Sequence, residues 1–166
     1  MIIIVMGISG TGKSTVGQML ADRLGVPFEE GDAYHPEANV KKMSAGIPLN
    51  DADREPWLDS MAKSMAEWEA RGETCVLSCS ALRKAYRDKF RAVVKDLRFA
   101  FLDGAKDLVQ NRMKERQSHF MPVTLIESQI AALEVPHGET DVIWVSISQT
   151  PEKLVDELVE KITPLM

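Results

Sequence analysis

The run Gly7-Ile8-Ser9-Gly10-Thr11-Gly12-Lys13-Ser14-Thr15 limits what this chain can fold into more than any other stretch. It matches G-x-x-x-x-G-K-[ST], the loop whose backbone cradles nucleotide phosphates. Its glycines permit backbone angles that side chains forbid, so successive N–H groups converge on one anion-sized hollow. Lys13 reaches toward the β- and γ-phosphates, and Ser14 offers a hydroxyl to Mg²⁺. The helix expected from Ser14 to Leu24 adds its positive dipole end at the same place. Four apolar residues, Ile2 to Val5, precede the loop without polar alternation. That pattern fits a strand covered on both faces, in the middle of a parallel sheet. Strand, glycine loop and helix together make a chance match a poor explanation.

The chain has 166 residues, the size of one domain with a full core. No apolar run approaches the ~20 residues that a membrane span requires, and the front strand lacks the basic flank of a signal peptide. A cytoplasmic protein is expected. The formal net charge of −5 argues against general nucleic-acid binding, which goes with a basic surplus. Cys75 and Cys79 lie four apart in an expected strand, about 13 Å at ~3.3 Å per residue, too far for a disulfide. Without further Cys or a nearby His they are no zinc signature, so buried thiols are expected.

Further along, a short second strand is expected near Pro27 to Glu30, ending in Gly31-Asp32. Residues 32–56 are polar and rich in turn formers; a segment that long in a compact domain is more often a binding excursion than a connection. It reads as a substrate-side cap, with Pro36 opening a short helix through Ser44 and Gly46 ending it. A long helix is expected from about Asp53 to Arg71, with Trp57, Met61, Met65 and Trp68 as a core-facing stripe. Strands follow at Thr74–Ser80, Leu97–Leu102 and Val142–Ile147. Helices are expected at Leu82–Val94, Ala105 to about Arg116, Val123–Leu133, and from Thr150-Pro151 onward. The fold class is therefore α/β: a five-stranded parallel sheet with helices on both faces. In such folds ligands bind beyond the C-terminal strand ends, where the loop, Gly31-Asp32, Ser78–Ser80, Asp103 and Ser148–Pro151 all fall.

A phosphate loop alone does not choose between a kinase, a GTPase and a motor. The chain is too short for extra machinery, and the N-K-x-D base-recognition signal of GTPases is absent. A small-molecule kinase remains, needing an acceptor pocket, an orienting group and cations that follow the moving phosphoryl group. Arg112 and Arg116 are four apart at an expected helix end, just before the break at 117–122. Either they form a solvated basic face paired with Glu115 or Asp107, or they lead into a lid (about 112–123) that closes over ATP and excludes water.

Several strings together carry a family resemblance: Gly7 to Ser14; Gly31-Asp32-x-x-His35-Pro36; Lys42-Met43-x-x-Gly46-x-Pro48-Leu49-x-Asp51-x-Asp53-Arg54-x-Pro56-Trp57; Cys79-Ser80-Ala81-Leu82-x-x-x-Tyr86-Arg87; and Arg112-x-x-x-Arg116-x-x-His119-Phe120. They closely resemble the gluconokinases, which belong with shikimate and nucleoside monophosphate kinases, and the match runs from the first residue to about Pro151. The cap string is much more specific than the phosphate loop. The resemblance implies ATP- and Mg²⁺-dependent phosphorylation of D-gluconate at its 6-hydroxyl, in a cytoplasmic homodimer without nucleic-acid or membrane partners.

Residue by residue, the resemblance makes Asp32 the group that accepts or orients the acceptor hydroxyl proton; the alternative is an Asx-turn or capping carboxylate. His35 either meets sugar hydroxyls or caps the helix at Pro36. Arg54 resembles the arginine that forks onto a substrate carboxylate in related kinases, against an ion pair with Asp51 or Glu55. Arg83 is a second carboxylate or phosphate contact, and Ser80 either meets the sugar or serves close packing. Arg112 would stack on adenine opposite Pro151, and Arg116 would reach the transferring phosphoryl group. Asp103 ends a string that looks like a second metal motif, yet here it reads as a turn residue. The rivals are a kinase of another small acid, such as shikimate, and a nucleotide-binding regulatory module without catalysis.

Overall fold

The apolar run at the front of the chain forms β1 (Ile2–Met6), with all five residues buried. In the computed structural model, which describes residues 1–104, 109, 111 and 123–166, four further strands join it: β2 (Phe28–Glu30), β3 (Cys75–Ser78), β4 (Leu97–Asp103) and β5 (Val142–Ser146). They form one sheet in the order β2-β3-β1-β4-β5, every neighbouring pair parallel. Successive side chains of a strand point to opposite faces. Complete burial of β1 therefore means that both faces of the sheet are covered there, which explains the missing alternation.

The described helices are α1 (Lys13–Leu24), α2 (Glu37–Ser44), α3 (Asp51–Ala70), α4 (Lys84–Val93), α5 (Val123–Ala132) and α6 (Pro151–Ile162). α1 packs against α6, and α3 against α4. Gly25 stops α1 in a left-handed conformation, its N–H reaching the carbonyls of Ala21 and Asp22. Thr150 caps α6 by accepting from the Lys153 amide, with Pro151 at the first helical position. Trp57, Met61 and Met65 on α3 are buried and Trp68 is partly so, the core stripe that the spacing predicts. No helix among the described residues is long and apolar enough to cross a membrane.

Several boundaries shift by one or two residues from expectation, and two of the shifts are instructive. α3 starts at Asp51, two residues early, because Asn50 closes a capping box: its side chain accepts from the Asp53 amide at 2.8 Å, and the Asp53 carboxylate accepts from the Asn50 amide at 3.0 Å. The third strand pairs only over β3, although the Cys79 amide still donates to Val5 at 3.0 Å. The helix expected over 105–116 and the break at 117–122 lie outside the described residues, apart from the buried Val109 and the exposed Asn111. Cys75 and Cys79 are free and buried, and burial pushes each thiol up to about 12.

Residues 32–56 become a 3₁₀ turn (Gly31–Tyr34), α2, a loop and the first turn of α3. This excursion is pinned to the sheet at Gly31. The Gly31 carbonyl accepts from the Trp57 indole at 2.9 Å, and its amide donates to the Ser78 hydroxyl at 3.2 Å. A Cβ at position 31 would stand 1.9 Å from the Ser78 carbonyl oxygen, so the backbones touch only because this residue is glycine. Gly31→Ala is expected to lower stability by about 1–3 kcal/mol. Urea unfolding checks this as a lower midpoint with an unchanged slope.

Candidate active site

The phosphate loop joins β1 to α1. Its first amide, Gly7, donates to the Ser80 carbonyl at 3.3 Å, tying the loop to the segment that follows β3. Gly7 has φ +146°, and a Cβ there would lie 3.1 Å from the Leu102 carbonyl and 3.2 Å from the Thr11 hydroxyl. Inside the loop, the Ile8 carbonyl accepts from the Thr11 hydroxyl at 2.8 Å and from Lys13 Nζ at 3.2 Å. Ile8, Ser9 and Thr11 are buried, while Ser14 and Thr15 are exposed on the first turn of α1. The left-handed Gly10 and Gly12 turn the chain into that helix, whose N-terminal amides and dipole favour an anion.

Ser14 is not alone. Its hydroxyl donates to Glu30 Oε1 at 2.6 Å, and the Ser78 hydroxyl donates to the same oxygen at 2.8 Å. A carboxylate beside the loop serine is a hard oxygen set, the chemistry Mg²⁺ prefers. Among the described residues no group of three or more His, Cys, Asp or Glu is arranged to hold a metal. The arrangement fits Mg²⁺ held by one or two protein groups together with phosphate and water oxygens. Glu30 is a candidate site residue that no sequence motif marks. The signal was its place at the C-terminal end of a strand beside β3.

Next to the loop, one cavity brings together Lys13, Asp32, His35, Arg54 and Ser80, with Ser9 and Gln129 on its wall and Met43, Pro48, Leu49, Trp57 and Leu82 as apolar lining. An adjoining depression shares Arg54 and adds Arg83, Asn50 and Asp51. Five acceptor-side and loop residues singled out from the sequence thus face one space, and Arg83 borders it. Pro151 opens α6 and is exposed; Asp103 is the exposed last residue of β4, and its carbonyl accepts from the Ile147 amide at 2.9 Å where β4 pairs with β5, a strand contact. Arg112 and Arg116 lie outside the described residues.

His35 is held as a neutral ring. Its side chain is 3% exposed and stacks on Trp57 with centroids 4.1 Å apart. Asn39 Nδ2 donates to the Asp53 carbonyl at 2.8 Å and lies 3.2 Å from His35 Nδ1, which must then accept. The ring proton belongs on Nε2, 3.9 Å from the Asp32 carboxylate. Burial, and secondarily the Arg54 charge, pushes the His35 pKa down to about 4. His35 therefore supports the cap through Trp57 and Asn39, and it provides no side-chain cap for α2.

Arg54 is 11% exposed at the side chain, so its charge is largely desolvated. It donates to the Tyr86 hydroxyl at 3.0 Å, and that hydroxyl bonds to the Asp51 carboxylate. Asp51 stands 4.0 Å from Arg54 and 3.6 Å from Arg83 Nε, whereas Glu55 pairs with Lys89. Two guanidinium groups thus share one exposed carboxylate. Burial first, then the Asp51 hydrogen bond, raises the Tyr86 pKa, which keeps the phenol a neutral donor.

Comparison with known proteins agrees with this geometry. The family profile described as "Shikimate kinase" matches residues 9–163. The gluconokinase of Gluconobacter oxydans is 46% identical over 157 residues, covering 95% of this chain and 88% of that protein. The thermoresistant gluconokinase of Escherichia coli is 38% identical over 162 residues, covering 97% and 93%. Among solved structures, a gluconokinase from Sinorhizobium meliloti superimposes with a TM-score of 0.89 at 44% identity, covering 98% of this chain and 91% of its own. With a phosphate loop, a polar cap and a shared cavity in place, and with relatives matching nearly end to end, the chain belongs to the gluconokinase family of small P-loop kinases.

Proposed function

We propose that this protein transfers the γ-phosphoryl group of ATP to the 6-hydroxyl of D-gluconate, giving 6-phosphogluconate and ADP. The observation that carries the reading is the single cavity in which Lys13 of the phosphate loop, Asp32 and Arg54 meet. A phosphate cradle at one side and a desolvated arginine at the other match an acceptor with an alcohol at one end and a carboxylate at the other.

The loop amides and the α1 dipole hold the triphosphate, and Lys13 neutralises charge on its terminal phosphates. Ser14 would hold Mg²⁺ directly, with Glu30 beside it, and the bound ion would supply charge neutralisation on the phosphates. Asp32 orients the acceptor hydroxyl and takes its proton as the new P–O bond forms and the bond to ADP breaks. The Nε2–H of neutral His35 faces the Asp32 carboxylate and steadies it. Ser80 meets sugar hydroxyls, and Arg54 with Arg83 takes the acceptor carboxylate in place of Asp51. Arg116 acts on the transferring phosphoryl group and Arg112 on adenine, opposite Pro151, within a lid that keeps water out. The proposal includes a cytoplasmic homodimer, supported by the family resemblance.

An acceptor panel tests the activity. ATP consumption is expected with gluconate at a kcat/KM roughly 10²-fold or more above that with shikimate or nucleoside monophosphates, with the product phosphorylated at carbon 6. Equal turnover of shikimate would move the assignment to another small acid, and ATP binding without acceptor-stimulated turnover would make the protein a regulatory module.

Two substitutions test the chemistry. Asp32→Asn is expected to lose about 10²-fold or more in turnover while ATP affinity is retained. Arg116→Ala is expected to lose about 10³-fold or more in kcat with a much smaller change in ATP binding. Turnover within about threefold of wild type would return either residue to a structural role.

His35 gives a pH signature. Its folded pKa, about 4, lies below its ordinary value of 6.5, so the unfolded chain binds the proton more readily. Its contribution to stability is complete above about pH 6.5 and is lost as pH falls toward about 4. The stability gap between wild type and His35→Gln should shrink across that window in urea titrations at stepped pH. A gap that stays constant would place the ring in water.

A further inference from the structure

Two amides at the front of the phosphate loop are held by protein oxygens. Gly7 N–H donates to the Ser80 carbonyl at 3.3 Å, and Ser9 N–H donates to Gln129 Oε1 at 2.8 Å. Ser80 follows β3 and Gln129 sits on α5, so the loop is gripped from two different elements. Both residues also line the cavity shared by Lys13, Asp32 and Arg54. The Gln129 contact spans 120 residues of sequence and reaches a serine that is only 7% exposed. α5 itself is anchored by Ile126, fully buried, and by Ile130, with Leu133 just past its end also packed on the core. Gln129 therefore reaches the loop from a fixed base.

We propose that Gln129 is a positioning residue that sets the register between the phosphate loop and the acceptor cavity. The inference rests on the kinase activity proposed above and deepens it. A bond to Ser9 N–H fixes the part of the loop that borders the acceptor, while the amides nearer Lys13 and the α1 dipole grip the phosphates. Loss of the bond should then misalign transfer without releasing ATP, because small misplacements at the reacting atoms cost rate more than affinity. The side chain is also suited by charge. A carboxamide oxygen accepts from an amide as a carboxylate does, yet adds no formal charge where a polyphosphate and an acid acceptor meet. A carboxylate of the same shape would keep the bond and repel both substrates.

Gln129→Glu and Gln129→Met separate these contributions, alongside wild type. For Gln129→Met, which removes the acceptor oxygen at similar volume, kcat with gluconate should fall about 10-fold or more, with ATP affinity by calorimetry within about twofold. For Gln129→Glu, kcat/KM for gluconate relative to wild type should fall about 10²-fold at pH 8 and recover by about 10-fold or more toward pH 5.5, as the introduced carboxyl takes a proton in its anionic surroundings. A merely structural glutamine would give a ratio that does not move with pH. Amide hydrogen exchange at Ser9 in the wild-type protein, measured without acceptor, should show clear protection.

The proposal is overturned by fast Ser9 exchange, by a pH-independent Gln129→Glu ratio, by kcat/KM within about threefold of wild type in both variants, or by ATP affinity falling in step with turnover. Ser9 exchange and ATP affinity require no acceptor, and wild-type turnover of gluconate is scored separately. Failure of the gluconate assignment is thereby distinguished from failure of the role given to Gln129.

Discussion

The site depends on a constraint at the centre of the sheet. β1 is hydrogen-bonded on both sides, to β3 and β4, and is buried completely. Its end therefore has no freedom to wander. Because all five strands run parallel, the exits of β1, β2 and β3 emerge at one edge of the sheet, where the order places β3 between the other two. Gly7, Glu30, Gly31 and Ser80 are consequently neighbours, although they come from three separate stretches of sequence. The bonds from Gly7 to Ser80 and from Gly31 to Ser78 lock that neighbourhood. Everything chemical in the molecule is mounted on it, from the phosphate loop to the polar cap.

The arginines show how the same side chain can be saturated within the fold or left with an exchangeable partner. Arg87 is fully buried and closes a bidentate pair with Glu139 through Nε and Nη2, while Nη1 donates to the Ala81 carbonyl at 2.7 Å and Nη2 also donates to the Glu134 carbonyl at 2.9 Å. Arg91 binds the same glutamate and Asp141. Hydrogen bonds from these arginines hold Glu139 below the usual carboxylate range. Such a saturated group holds the fold together: Arg87 fixes Ala81, whose φ of +47° is uncommon for a residue with a Cβ, one step beyond Ser80. Arg54 and Arg83 are the opposite case. They converge on the single carboxylate of Asp51, whose side chain is 70% exposed, and the buried Arg83 Nε has no hydrogen-bond partner among the described residues. An exposed carboxylate at a shared pair of guanidinium groups can be exchanged for a ligand's carboxylate at modest cost. Glu139, clamped by two arginines and 9% exposed at its side chain, cannot.

Local pattern carried much of this architecture, and its gaps have a physical reason. The unbroken Ile2–Val5 run, the glycine loop and the i, i+4 stripe of α3 each report what one element buries, and each is visible within a short window. The capping box was also local, yet Asn50 with Asp53 is a quieter form of the Ser/Thr and Glu pairing, and the start of α3 was placed two residues late. Other site features are not local at all. Glu30 and Ser14 meet across 16 residues, Tyr86 and Arg54 across 32, and Ser9 and Gln129 across 120. α5 was read for its apolar face, which periodicity exposes, whereas a polar side chain on another face says nothing about what it touches until the elements are assembled. Trp57 belongs to the core stripe that spacing exposes, and its indole N–H also holds the Gly31 carbonyl. Burial and site support are the same fact at that residue.

Charge along the cavity ties these levels together. At the loop end stands Lys13 with the amide-rich turn. In the middle are groups without formal cationic charge beside the single carboxylate of Asp32: the Ser80 hydroxyl, the neutral ring of His35 and the Gln129 carboxamide. At the far side Arg54 leads to Arg83. A protonated His35 would erase this gradient by placing a cation against Asp32, and its burial on Trp57 prevents that. The cap thus does more than form one wall of the cavity. By desolvating one ring it keeps a second cation from forming against the Asp32 carboxylate within the fold. The apolar wall of Met43, Leu49 and Leu82 lowers the local dielectric and strengthens the interactions among the charges that remain. Hydrophobic packing of the cap in this sense sets the electrostatics of the cavity, because the charges it surrounds act on one another with less screening than water would give.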